Sequence, residues 1–164
     1  MTGVQTCALP ISLLPASYCG DVHERLVLYK RFANCGSAGE LEAMQEELVD
    51  RFGDLPPAAR ALIESHRLRI LGRALGVVRV DAAAEFMQIQ FVQHPPLDPA
   101  RVLALVQKQR GWKLTAPNKL RVERVTSELV ERATSVRQVL DGLAQAVVIP
   151  ENSVIPAKAG IQRR

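Results

Sequence analysis

At 164 residues, 48% hydrophobic and 23% charged, the chain has the composition of a folded globular protein and the length of one domain, two at most. It is too short for a (β/α)8 barrel, and it contains no apolar run near the ~20 residues that cross a bilayer as a helix. The formal net charge is +4, from 21 basic and 17 acidic residues.

That charge is unevenly placed. Between Ser37 and Asp54 there are six acidic residues against Arg51 alone, a local charge of −5. Between Leu55 and Val80 there are five arginines against Glu64, a local charge of +4. The last fourteen residues supply +2 of the total, so the rest of the chain is close to neutral. Acidic and basic helices in succession make a charge-segregated surface rather than a general nucleic-acid footprint. The three cysteines, Cys7, Cys19 and Cys35, have neither C-x-x-C spacing nor histidines at ligand spacing. They read as free thiols of a reducing cytoplasm.

The two ends differ in character from the middle. Residues 1–12 carry no charge and no amphipathic period, and are expected to be a non-native leader resembling a translated sequencing adapter. Residues 149–164 are similarly expected to be a non-native tail resembling a translated intergenic repeat. Residues 13–20, with Pro15, Ser17 and Gly20, read as a linker, and 21–148 as the domain.

In chain order, Asp21 caps a first helix running to about Asn34, with Val22, Leu26, Tyr29 and Ala33 on one face. Ser37 and Glu40 form a capping box for a second helix, which places Leu41, Met44, Leu48 and Phe52 on its apolar stripe and stops at Gly53. Pro56-Pro57 opens a third helix, predicted to bury Ala59, Leu62, Ile63, Ile70 and Ala74 and to end at Gly76. Val77–Val80 and Phe86–Val92 read as a hairpin, with Met87, Ile89 and Phe91 on one face. Asp98-Pro99 opens a fourth helix that buries Val102, Leu103 and Val106. Two further strands, Trp112–Thr115 and Lys119–Val125, precede a final helix capped by Thr126 or Ser127. Its predicted stripe is Leu129, Ala133, Val136, Leu140 and Leu143. The order ααα-ββ-α-ββ-α predicts an α+β fold with a small antiparallel sheet of about four strands and about five helices.

Catalytic, cofactor-binding and metal-binding residues are all expected to be absent. His23, His66 and His94 fall on two helices and a proline loop without ligand spacing, and His66 reads as a partly buried structural histidine. No phosphate-cradling loop, dinucleotide fingerprint or nucleophile elbow occurs in the sequence. Arg60, Arg67, Arg69 and Arg73 of the third helix are the candidate nucleic-acid contacts. Their spacing spreads them over two sides of the helix, where a groove-reading helix would gather them. The acidic second helix is more specific. Glu46, Glu47 and Asp50 crowd one rim, and like charges at i,i+3 and i,i+4 repel by about 0.2–0.5 kcal/mol per pair. A solvated face is the ordinary explanation. An arginine-accepting docking surface, where a charged partner offsets that repulsion, is the sharper one.

Several strings carry a family resemblance: Leu28-Tyr29-Lys30-Arg31, then Glu46-Glu47-Leu48-Val49-Asp50-Arg51-Phe52-Gly53-Asp54-Leu55-Pro56, then Leu75-Gly76, then Leu105-Val106-Gln107-Lys108-Gln109. Over about Leu13 to Ala146 the chain resembles the C-terminal domain of the bacterial transcription-repair-coupling factor. The resemblance implies a cytoplasmic parent protein that translocates on DNA with ATP, removes stalled RNA polymerase and recruits the excision-repair protein UvrA. It implies for this domain a regulatory, non-enzymatic part without motor motifs. The domain would dock on the parent's own UvrB-like N-terminal module and mask the UvrA-binding surface there; the acidic rim of Glu46, Glu47 and Asp50 is the predicted contact. The alternative is a nucleic-acid-binding accessory domain that uses the third-helix arginines. No membrane partner is implied.

Overall fold

The computed structural model describes residues 5–6 and 13–148. The elements follow the predicted order: α1 (Val22–Asn34), α2 (Ala38–Phe52), α3 (Pro57–Ala74), β2 (Val77–Ala82), β3 (Phe86–Phe91), α4 (Pro99–Lys108), β4 (Trp112–Ala116), β5 (Lys119–Glu123) and α5 (Leu129–Ala144). The α+β class and the four-stranded antiparallel sheet are as the sequence predicts. One element is additional. Gln5–Thr6 form a two-residue strand, β1, that pairs parallel with Arg79 and Val80 at the sheet edge. The strand order is β1-β2-β3-β5-β4. Apart from β1, residues 1–12 and the tail 149–164 lie outside the described residues.

Local signals explain the boundaries. Asp21 Oδ1 accepts the His23 N–H at 2.8 Å, and Asp98 Oδ1 accepts the Ala100 N–H at 2.9 Å. Ser37 Oγ accepts the Glu40 N–H at 3.2 Å, while the Glu40 carboxylate reaches one residue further back than a standard capping box, to the Gly36 N–H at 2.8 Å. Gly53 leaves α2 with φ +83°, a conformation that favours glycine. The start of α5 is a correction. Neither Thr126 nor Ser127 is the cap; Glu128 is, and the Glu131 carboxylate accepts the N–H groups of Ser127 and Glu128. Thr126 is buried and donates its N–H to the Ala84 carbonyl at 2.7 Å, which ties the end of β5 to the β2–β3 turn.

Two apolar clusters form. One lies among α1, α2 and the first half of α3 and includes Leu28, Phe32, Leu41, Met44, Leu48, Leu62 and Ile63. The other lies between the sheet and α5, with the second half of α3, and includes Leu68, Leu75, Val80, Met87, Ile89, Leu120, Val122, Leu140 and Leu143. Met87, Ile89 and Phe91 alternate into this second cluster as predicted. Residues 13–20 pack closely on the domain: Leu14 and Cys19 are buried in the first cluster, and Tyr18 Oη donates to the carbonyl oxygens of Leu48 and Gly53 at 3.0 Å each.

The buried faces of three helices differ from those predicted. In α1 the core takes Leu28 and Phe32, leaving Val22 60% and Leu26 54% exposed. Both sides of this helix are apolar, and the side bearing the large Phe32 ring wins. In α3 the structure buries Leu68 and Gly72 and exposes Ala74, because the helix serves both clusters. In α4, Leu105 packs with Val102 and Val106, and Leu103 faces outward, 49% exposed. The stripe of α5 gains Val139 beside Val136, Leu140 and Leu143; the Leu129 side chain lies outside what is described.

Candidate docking face

Helix α2 presents the acidic rim. Leu41, Met44 and Leu48 point into the core, which fixes the rotation of the helix and drives Glu42, Glu46 and Asp50 outward. The three acids named from the sequence then separate into two kinds. Glu47 is committed within the domain. The Arg31 guanidinium donates to both its oxygens, at 2.7 and 2.6 Å, and Arg51 adds a third bond at 3.3 Å. Arg51 in turn pairs with Glu24 of α1. The fork-to-fork pair with Arg31 holds the Glu47 carboxyl at a pKa of about 2, well below its ordinary value. Glu46 and Asp50 make no ion pair among the described residues and stand one turn apart on the exposed side.

Beside them the surface is concave. A groove of about 390 Å³ runs between α2 and α3, lined by Gln45, Val49, Asp54, Arg60, Glu64 and Arg67. Val49 is partly exposed at this groove, between the acidic rim and the basic one.

The α3 arginines are dispersed. Arg60 Nε donates to the Leu55 carbonyl at 3.0 Å and holds the turn into α3. Arg67 lies 3.9 Å from Glu64. Arg69 donates to the carbonyls of Phe32 and Ala33 at 3.1 and 3.0 Å, closing the C-terminus of α1, where a cation also complements the helix dipole. Arg73 is exposed. Arg60 and Arg67 line the groove wall, while Arg69 and Arg73 stand as i,i+4 neighbours elsewhere on the helix. His66 is the structural histidine its position predicts. Its ring stacks on Phe32 with centroids 5.4 Å apart and an interplanar angle of 12°. Burial, followed by the nearby Arg69 charge, lowers its pKa to about 4. Arg31 and Tyr18 carry no local signal that marks them as site residues, because both reach α2 from more than fifteen positions away.

Among the described residues no group of three His, Cys, Asp or Glu side chains is arranged to hold a metal ion, and no helix is long and apolar enough to cross a membrane. A family model described as the TRCF domain matches residues 10–102. The chain belongs to the TRCF domain family. Over 138 residues this TRCF domain is 36% identical to the transcription-repair-coupling factor of Escherichia coli strain K12, covering 84% of the chain and 12% of that relative. It is 42% identical over 98 residues to the factor of Haemophilus influenzae, covering 60% of the chain and 9% of the relative. The chain therefore spans about a tenth of the length of these curated relatives. In fold it is similar to a crystal structure of the C-terminal domain of transcription-repair coupling factor, with a TM-score of 0.68 at 18% identity, covering 87% of this chain and 95% of that one.

Proposed function

We propose that this TRCF domain is a regulatory docking module of a larger coupling factor. It closes on the UvrB-like N-terminal module of the same parent and covers the surface that UvrA would use. The parent's motor would engage DNA and act on stalled RNA polymerase in the cytoplasm; this domain would be its non-catalytic switch. The observation that carries the reading is the acidic rim of α2. Two carboxylates without internal partners, Glu46 and Asp50, stand beside a third, Glu47, fixed in place by Arg31 and Arg51. Partner arginines meeting this rim would bond free carboxylates on a helix whose position is already set, so little ordering entropy opposes docking. The mixed-charge groove between α2 and α3 borders the same rim and offers Val49 to an apolar side chain.

Such a switch needs two states within a few kcal/mol of each other, since a ligand shifts a population only by its differential affinity. An interface built on a few charge pairs meets that condition, because close interfacial pairs show coupling of about 1.5–7 kcal/mol. The test is a titration of the chain against the isolated UvrB-like module. Glu46→Arg with Asp50→Arg is expected to abolish docking while leaving the thermal midpoint within about a degree or two, as both groups are exposed and internally unpaired. Equal affinity of wild type and variant would overturn the reading.

A further inference from the structure

The second face of the sheet carries chemistry that the docking face does not use. Strand register places its side chains in rows. Asp81 of β2, Gln88 of β3, Arg121 of β5 and Lys113 of β4 lie directly beside one another, and Arg79, Gln90 and Lys119 form the next row. Phe86 sits beside Glu123 at the end. Neighbouring strands are about 4.8 Å apart, so these side chains make one continuous surface. The alternate residues of the same strands, Val80, Met87, Ile89, Leu120 and Val122, are all in the sheet cluster beneath α5. None of the side chains in these rows is buried.

The rows hold four cations and, with Glu123, two carboxylates. Arg79 Nε pairs with Asp81 at 2.7 Å, and Lys113 Nζ with Glu123 at 2.9 Å. Lys119 and Arg121 have no carboxylate within ion-pair distance among the described residues. The Arg121 guanidinium lies over the Phe86 ring, 3.9 Å from its centroid. Phe86 and Arg121 are 35 positions apart in sequence, so this stack exists only because β3 and β5 pair.

We infer that this open sheet face binds a single nucleic-acid strand. Lys119 and Arg121 would take phosphates, with Arg79 and Lys113 at the margins. The planar guanidinium held over the ring offers a π-surface for one base, and stacking of this kind tolerates any base. Gln88 and Gln90 carry amides with both donors and acceptors at the centre of the face, suited to base edges. A duplex hides its base faces and would leave the stack unused. An acidic peptide would need the cations but neither the stack nor the paired amides. This face is remote in sequence from the α2 rim, so the inference stands apart from the docking reading.

The test uses the whole chain and a fluorescent 12-nucleotide oligo-dT, followed by anisotropy across a salt series. Binding is expected to weaken with a log–log salt slope of about −2, since each neutralised phosphate contributes about −0.7 on a single strand. Lys119→Gln with Arg121→Gln should weaken binding at least tenfold and flatten the slope by about 1.4. Arg121→Lys, which keeps the charge and loses the planar stack, should weaken it severalfold at unchanged slope. Arg60→Gln with Arg67→Gln, on the groove wall, should bind like wild type. Circular dichroism confirms folding of each. No binding at low salt, equal binding of a 12-base-pair duplex, equal competition by polyglutamate, or loss of binding in the Arg60/Arg67 variant instead of the sheet variants would each overturn the inference.

Discussion

The helical half and the sheet half of this domain solve the same packing problem with different redundancy. In the helical half, α1, α2 and the first turns of α3 enclose a cluster around Phe32, and polar links between elements reinforce it: Arg31 and Arg51 to Glu47, Arg51 to Glu24, and Arg69 to the end of α1. The sheet half relies chiefly on strand pairing and on aliphatic burial beneath α5, with the Lys113–Glu123 pair and the Arg124–Gln138 bond at its margins. Helix α3 belongs to both, with Leu62 and Ile63 in one cluster and Leu68 in the other. The contrast teaches that the face proposed to dock is held rigid by charge networks, while the two halves are joined mainly through one helix.

The sharpest way to break that picture is Phe32→Ala. The ring is fully buried, so the cost is expected at about 3–5 kcal/mol. If α3 couples the halves, urea melts followed by a helical probe and by Trp112 fluorescence lose stability together. A biphasic melt, with the sheet half unmoved, would show two independent units. Next in size is the pH dependence of His66. Its folded pKa of about 4 lies below the ordinary 6.5, so the unfolded state binds more protons between those values. Stability is then complete above about pH 6.5 and falls as the pH drops toward 4, by on the order of 2 kcal/mol. His66→Phe should remove that slope, read as the urea midpoint from pH 7 to 4. The smallest effect is Arg31→Gln. Losing the partly exposed pair should cost about 1 kcal/mol and return the Glu47 carboxyl from about 2 toward its ordinary value. In wild type the contribution of Glu47 is present above pH 4.5 and lost as the pH falls toward 2. NMR titration of Glu47 in both proteins measures this directly.

How much of this was legible in the sequence follows from range. Caps, glycine stops and the period-two pattern of β3 are local chemistry, and Asp21, Ser37, Gly53 and Met87–Phe91 behave as their positions predict. The apolar faces of α1 and α4 were less legible, because Val22, Leu26 and Leu103 are as hydrophobic as the residues that displace them. Only the volume of Phe32 and the position of Leu105 decide. In α3 a single stripe was the wrong template for a helix that serves two cores. At the candidate site, the acidic rim was visible as helical spacing, whereas the distinction between Glu47 and its neighbours was not. It depends on Arg31, sixteen positions away. The Phe86–Arg121 stack was invisible for the same reason.

Tyr18 gives the domain a mechanical property. Its hydroxyl grips the carbonyls of Leu48 and Gly53, at the far end of the helix that carries the acidic rim. A pull on the backbone at Leu13 is therefore shared between α1, whose Tyr29 hydroxyl accepts the Leu14 N–H at 2.7 Å, and the end of α2, which Tyr18 holds. Part of that load falls on the docking helix itself, at the turn where the helix stops.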